Sequence, residues 1–302
     1  MSCFHPSLAV DLGIPNIESG KRQIKFLSRY RVDWNLEKYR SLYGDSLLLL
    51  PCGHCIGCLQ DYRQTWAVRI LLESMNHEAN SFITLTYNDS CLPSDNKPHR
   101  SEFVKFFKRL RKAINVPVKV FYSGEKGERS GRAHYHAVIF GYDFPDKVLH
   151  GRTAKGSLIW RSPILEKCWP FGMSSVGEVE PGSACYVAQY CDKKKLTRID
   201  DGSFIGMSRR PGIGFSNFNL NWFKSDTIYN ALGESSIPRF YKKMFEGLNP
   251  DSYQEYKNVV IDRMRQRQFS WTKYQVRNEE EALSYQEKVK LYNFVNKRRN
   301  IL

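Results

Sequence analysis

The sequence predicts an α+β domain: a central antiparallel sheet with flanking helices, a cysteine-rich knuckle before it and a helical extension after it. Three observations carry that expectation. Runs rich in β-branched and aromatic residues occur at Phe82-Ile83-Thr84-Leu85-Thr86, at Val118, Val120 and Phe121, and at Ala137-Val138-Ile139-Phe140. Two stretches before and between them repeat apolar residues at three- and four-residue steps, the period of a helix face. The second and third runs are joined by Gly124-Glu125-Lys126-Gly127-Glu128, a polar segment that reads as a hairpin. The expected sheet has the histidine-bearing strand at its centre and its helices packed on one face. The expected division is residues 1–58, an N-terminal segment ending in the knuckle; 59–200, the core; and 201–302, a basic and mostly helical extension.

A chain of 302 residues with 41% hydrophobic and 14% aromatic content can bury a sizeable core. Its net charge of +15 makes a polyanion the natural partner, nucleic acid before a membrane surface. No run approaches the roughly 18 apolar residues of a spanning helix, and Met1-Ser2-Cys3-Phe4-His5-Pro6 lacks the pattern of a secretory signal. The eight cysteines therefore read as thiols or metal ligands in a reducing cytoplasm.

In chain order, Ile24 and Phe26 alternate with polar neighbours as in a short strand, and basic and aromatic residues interleave from Lys21 to Arg31. Cys52, Cys55 and Cys58 stand at CxxCxxC spacing in a glycine-containing turn, which suits convergence on one tetrahedral Zn²⁺. The fourth ligand would be Cys3 or His5, unless His54 folds back; an iron–sulfur cluster and reduced, unligated thiols are the other readings. Leu59, Tyr62, Trp66, Ile70 and Leu71 predict a helix over 59–79. A strand follows from Ser81, then a helix capped at Ser101 with Phe103, Phe106, Phe107 and Leu110 as its buried stripe. Residues 145–172 read as irregular with one short helical piece, and Ser175 to Glu180 as a strand. The segment from Ser183 to Lys195 is helix-compatible. Beyond it, Pro211, Gly212 and Gly214 enforce a turn behind Arg209 and Arg210, and residues 251–302 read as helical, with Tyr285, Val289 and Tyr292 as one stripe.

Two groups of residues carry chemistry. His134 and His136 flank Tyr135, and in a strand residues i and i+2 share a face about 6–7 Å apart. Antiparallel pairing with the preceding strand sets Glu125, or as second choice Glu128, beside the imidazoles. Two imidazoles and a carboxylate suit Mg²⁺ or Mn²⁺ with positions left open for substrate. Tyr186 and Tyr190 lie four apart and share a helix face, with Lys193 three beyond Tyr190. A phenol is a poor nucleophile near neutral pH, but a cation polarising a phosphodiester and a nearby lysine make its attack feasible. The same pattern also describes an amphipathic helix packing two tyrosines into a core.

These segments, in this order, resemble the HUH endonucleases that start rolling-circle DNA replication: the strand Phe82–Thr86, the pair His134-Tyr135-His136, and a helix with Tyr186 and Tyr190. The match is closer to the replication initiation proteins of gokushovirus-type microviruses. It extends to the PCGxCxxC knuckle, to Gly124-Glu125 before Gly131-Arg132, to the YVAxY helix ending in lysines, and to Met207-Ser208-Arg209-Arg210-Pro211-Gly212-Ile213-Gly214. It covers roughly residues 51–245. The resemblance implies an HUH-like sheet and an endonuclease and strand transferase. His134, His136 and Glu125 would hold the metal, and Tyr190 and Tyr186, with Lys193, would form a 5′-phosphotyrosine and a free 3′-OH. Gln189 stands where related chains often have lysine, which sets Tyr186 apart from Tyr190. The implied partners are single-stranded and supercoiled duplex origin DNA, contacted through Arg132, Lys194, Arg209 and Arg210, and a host polymerase in the bacterial cytoplasm. With no GxxxxGK[ST] loop in the chain, strand separation falls to a host helicase. Readings of other kinds are a non-catalytic, zinc-containing DNA-binding protein and a relaxase or transposase on the same fold.

Overall fold

A computed structural model describes residues 3–15, 17, 22–28, 36–127, 131–153, 156–188, 202–266 and 279–299. The chain forms two compact units, one of residues 1–61 with 265–302 and one of residues 62–264.

In the first unit, β1 (Ser7–Pro15) pairs antiparallel with both β2 (Arg22–Ser28) and β3 (Leu47–Leu50), and α1 (Leu36–Tyr43) lies between β2 and β3 in sequence. The knuckle follows and runs into α2 (Ile56–Ser74), which starts three residues before the predicted helix and ends five before its predicted end.

The second unit is built on a seven-stranded antiparallel sheet among the described residues. Its elements begin with β4 (Asn80–Tyr87), α3 (Arg100–Ile114), β5 (Lys119–Lys126) and β6 (Ala133–Phe140). There follow β7 (Val148–Arg152), β8 (Leu158–Arg161), α4 (Pro163–Cys168), β9 (Gly172–Gly177) and a helix, α5, described over 181–188. Then come β10 (Phe204–Met207), α6 (Trp222–Ser225), the hairpin β11 (Thr227–Asn230) and β12 (Gly233–Ser236), α7 (Arg239–Leu248) and α8 (Pro250–Gln266). The sheet order is β10-β5-β6-β4-β9-β8-β7, so β6 is flanked by β5 and β4 in its interior. The last helix, α9 (Glu279–Arg299), belongs to the first unit.

Period-two alternation decides which side of the sheet each residue serves. Ile83, Leu85 and Tyr87 of β4, Val120 and Tyr122 of β5, and Tyr135, Ala137 and Ile139 of β6 point to one face. There they bury Phe103, Phe106, Phe107 and Leu110 of α3 with Leu165 and Cys168 of α4. Full burial of each such side chain stabilises by about 1.5–3 kcal/mol. Helix α3 starts at Arg100, one residue before the expected cap, and ends on Asn115 in the left-handed conformation, whose N–H bonds to the Arg111 carbonyl.

The opposite face is covered as well, which corrects the expectation of helices on one side. Phe121, Val138 and Phe140 pack against Trp66, Ala67, Ile70 and Leu71 of α2 and against Ala184, Val187 and Ala188 of α5. The cause is visible in β6, whose last four residues are apolar on both sides and so need cover on both. Residues 145–172 are not irregular, since β7 and β8 form a hairpin there. The predicted strand at 175–180 starts earlier, at Gly172.

Residues 201–264 do not stand apart from the core. Strand β10 completes the sheet beside β5, and Phe223, Ile228, Ile237, Tyr241 and Phe245 pack on Val68 and Leu72 of α2. In α9 the stripe Tyr285, Val289 and Tyr292 is exposed, whereas Leu283 is the residue that packs inward, beside the knuckle. No described helix is long and apolar enough to cross a membrane.

Candidate metal and tyrosine site

Strand register assembles the site. On β5 and β6, Glu125 lies directly across from His134 and Ser123 across from His136. On the other side of β6, Thr84 lies across from His136. Glu125, His134 and His136 therefore project from the same sheet face, the one covered by α2 and α5. Glu125 Oε1 is 2.7 Å from His134 Nε2 and 3.2 Å from His136 Nε2. Glu125 and His136 are buried, and His134 is half-buried.

The far side of each imidazole is engaged too. His134 Nδ1 is 3.0 Å from the Arg132 carbonyl, and a carbonyl only accepts, so Nδ1 carries the proton. His136 Nδ1 is 3.0 Å from Thr84 Oγ1. These contacts fix both ring orientations with Nε2 turned to the carboxylate, the outer-contact pattern of metal-ligating histidines. Phe82 stacks on His136, with ring centroids 5.8 Å apart and an interplanar angle of 6°. Burial disfavours ionisation of Glu125, but the hydrogen bonds and positive charge of the two histidines outweigh it and hold its carboxyl well below the usual carboxylate range. The group thus offers a carboxylate and two Nε2 atoms, all within 4.8 Å of one another, a donor set that fits a hard or borderline divalent ion.

Gly124 lets the strand carry Glu125 here. A Cβ at that position would come within 2.6 Å of the Phe204 ring on β10 and 3.0 Å of Pro98.

Tyr186 stands beside this group. Helix α5 packs through Ala184, Val187 and Ala188, which leaves Tyr186 turned to the histidines. Its ring centroid is 5.0 Å from that of His136 and 6.2 Å from that of Phe82, edge-on to both. Tyr186 keeps 40% of its surface exposed, so the site is open on that side. Tyr190, Lys193, Lys194 and the alternative ligand Glu128 lie outside the described residues.

The basic candidates are placed differently. Arg132 donates to the Tyr87 carbonyl at 3.0 Å and to Asp89 at 2.6 Å. Asp89 is exposed, so this pair contributes only about 0–1 kcal/mol and a phosphate could displace it. Arg209 and Arg210 are exposed but not gathered at the site. Strand β10 pairs Phe204 with Gly124 and Met207 with Phe121, so the chain moves away from Glu125 as it approaches them.

Reasoning from sequence marks Phe82 and Thr84 as strand residues and misses their place at the site. The signal is present, because alternation along Phe82-Ile83-Thr84 puts the two on one face once Ile83 is assigned to the core.

In the first unit, Cys3, Cys52, Cys55 and Cys58 bring their Sγ atoms within 4.8 Å of one another. The other two candidates for the fourth position are not in that group; His5 instead bonds Glu287 of α9 at 2.8 Å, and His54 sends its backbone N–H to Cys52 Sγ. The hydrogen bond with Cys55 pushes the Cys3 thiol up to about 12, and bonds with Cys3 and Cys55 push Cys58 up. Those with Cys3 and Cys58 pull Cys55 down, so the bare cage favours a single thiolate.

Comparison with known proteins places these features in a lineage. The family model for replication-associated protein ORF2 matches residues 80–195, the stretch from β4 through α5. Replication-associated protein VP4 of Bdellovibrio phage phiMH2K is 29% identical over 222 residues, covering 68% of this chain and 70% of the relative. Replication-associated protein ORF4 of Chlamydia phage 1 is 28% identical over 264 residues, covering 80% of this chain and 64% of the relative. Replication-associated protein ORF2 of Spiroplasma virus 4 is 30% identical over 275 residues, covering 82% and 81% respectively. No solved structure matches the chain. The protein belongs to the family of replication-associated proteins of gokushovirus-like microviruses.

Proposed function

We propose that the protein is a replication initiator that nicks origin DNA by tyrosine transesterification and later rejoins the displaced strand. The observation that carries this reading is the position of Tyr186, its ring 5.0 Å from that of His136, on the sheet face that also presents Glu125 and His134. The names of the phage relatives agree with a role in replication.

Glu125, His134 and His136 would hold Mg²⁺ or Mn²⁺, which when bound supplies polarisation of the scissile phosphate. The chain's own groups do the rest. Thr84 and the Arg132 carbonyl hold the imidazoles in one orientation, and Phe82 restrains His136 by stacking. A tyrosine oxygen attacks phosphorus and forms the phenolic ester as the bond to the 3′ oxygen breaks. The phenolic proton leaves, and the 3′ oxygen takes up a proton to become the free 3′-OH. The phosphodiester energy is kept in the tyrosine ester, so the reverse attack by a 3′-OH can close a circle. Tyr186 and Tyr190 are the two nucleophiles, one for opening and one for the cut that ends a round. Lys193 supplies positive charge for the phenolate.

The substrate is single-stranded or supercoiled duplex origin DNA in the cytoplasm of a bacterial host. The net charge of +15 favours its capture, and Lys194, Arg209 and Arg210 extend the contact beyond the site. A host helicase separates the strands, and a host polymerase extends the 3′-OH.

The test is incubation of the full chain with single-stranded origin DNA and Mn²⁺, read on a denaturing gel. The proposal expects a protein–DNA adduct that needs the metal and disappears in Tyr186→Phe/Tyr190→Phe and in His134→Ala. Tight DNA binding with no cleavage in either metal would support the non-catalytic DNA-binding reading instead. Full nicking by the double tyrosine variant would refute the nucleophile assignment.

A further inference from the structure

We propose that Cys3, Cys52, Cys55 and Cys58 hold one Zn²⁺ in a closed four-sulfur site that organises the first unit. All four sulfurs lie within 4.8 Å of one another, with Cys3 to Cys55 at 3.9 Å and Cys52 to Cys58 at 4.0 Å. A tetrahedral ion with Zn–S bonds of about 2.3 Å spaces its sulfurs by about 3.8 Å, so the cage has the size of a site for one ion. In a multi-iron cluster, iron and sulfide atoms stand between the cysteine sulfurs and spread them further. Size therefore separates two options that the CxxCxxC spacing left open.

The surrounding backbone is arranged for negative charge on sulfur. Phe4 N–H points to Cys55 Sγ at 3.4 Å and Cys52 N–H to Cys3 Sγ at 3.3 Å. Cys52 Sγ accepts from His54 N–H at 3.4 Å and from Cys55 N–H at 3.3 Å. Cys58 sits in the first turn of α2, where the helix dipole favours a thiolate. Gly53 adopts a φ of +76°, which turns the loop between Cys52 and Cys55. Thiolates brought this close need a cation among them. A soft four-sulfur set prefers Zn²⁺ over Fe²⁺ in intrinsic affinity.

The site is closed, as a structural ion requires. Cys3, Cys55 and Cys58 are buried with Phe4 and Ile56, and Leu283 of α9 packs against them. Cys3 and Cys52 are 49 positions apart, and the fold places one just before β1 and the other just after β3. Binding, which releases the thiol protons, would tie the two ends of that three-stranded sheet to the start of α2.

The experiment is zinc-edge X-ray absorption and metal analysis of the full-length protein purified from zinc-supplemented medium, with hydrogen exchange before and after chelation. The proposal expects one zinc with four sulfur neighbours at about 2.3 Å. That shell persists in His134→Ala and in Cys168→Ser, but Cys3→Ser loses the ion or trades a sulfur for a lighter ligand. Chelation of the unmodified chain speeds exchange in β1–β3 while β4–β6 keep their protection. Iron in place of zinc, nitrogen or oxygen in the first shell of the unmodified protein, or four sulfurs retained in Cys3→Ser would overturn the assignment. Unchanged exchange in β1–β3 after zinc removal would overturn the structural role. Should Cys3→Ser fail to fold, the spectrum of the unmodified chain still decides.

Discussion

The cysteine cage and the Glu125–His134–His136 group gather ligands of different kinds in different ways. The cage draws like sulfurs from a turn and a distant terminal segment, bonds them with backbone N–H groups and seals them with Phe4, Ile56 and Leu283. The sheet group draws unlike ligands from two neighbouring strands and orients them through Thr84 and the Arg132 carbonyl. Beside it stands a half-exposed phenol rather than a fourth ligand. A closed set has no place for a substrate atom, and its worth is stability; a set on rigid strands with one side open is built for exchange. The two kinds of site should therefore respond to damage in different observables.

The largest effect is expected from Glu125→Ala. It leaves the imidazoles without their carboxylate and should lower nicking about a thousandfold or more, since several kcal/mol of charge stabilisation are at stake at about 1.4 kcal/mol per tenfold. Zinc content at the cage should not change, and a joint loss would erase the contrast between the sites. Thr84→Val keeps the shape of the side chain and removes only its contact to His136 Nδ1. Metal affinity, read as the Mn²⁺ concentration for half-maximal nicking, should weaken about 10–100-fold with the fold intact.

Glu73 is a control for pH. It is buried, accepts from Lys119 Nζ at 2.8 Å and from Gly214 N–H at 2.6 Å, and lies 2.9 Å from His77 Nε2. Burial opposes its ionisation, yet these partners outweigh it and hold its carboxyl below the ordinary range. A depressed pKa contributes stability above the unfolded value of about 4.3, and that stability is lost as pH falls through the folded value. Glu73→Gln should cost about 1–3 kcal/mol in urea unfolding at pH 7, with the difference from the unmodified chain shrinking below about pH 4. A gap that widens on acidification would contradict the ion-pair account. The smallest effect belongs to Gly53→Ala, about 1–2 kcal/mol for a left-handed backbone in open space, read as easier zinc loss with unchanged Mn²⁺ dependence of nicking.

Much of this arrangement was legible before any coordinates. Alternation marked β4 and β6, the phenylalanine stripe marked α3, and CxxCxxC marked the knuckle, because burial writes itself as a period in sequence. The hairpin of β7 and β8 escaped for the converse reason: β7 is largely exposed and β8 only half-buried, so neither alternates. Cover on both faces was readable in principle from the apolar run Ala137–Phe140, but helix stripes do not state which face they serve. The part played by Thr84 is a matter of register, which joins residues far apart in the chain and leaves no local pattern. The exposed stripe of α9 shows the limit of periodicity, since Leu283 packs and Tyr292 does not.

The central claim is that a phenol on the helix beginning at α5 attacks a phosphate held over Glu125, His134 and His136. Its most direct test is mass spectrometry of the nicked complex after protease digestion. The account predicts a nucleotide on the peptide that carries Tyr186 and Tyr190, formed only when Mg²⁺ or Mn²⁺ is present. Cleaved DNA with no modified tyrosine, or a nucleotide on a different peptide, would contradict it.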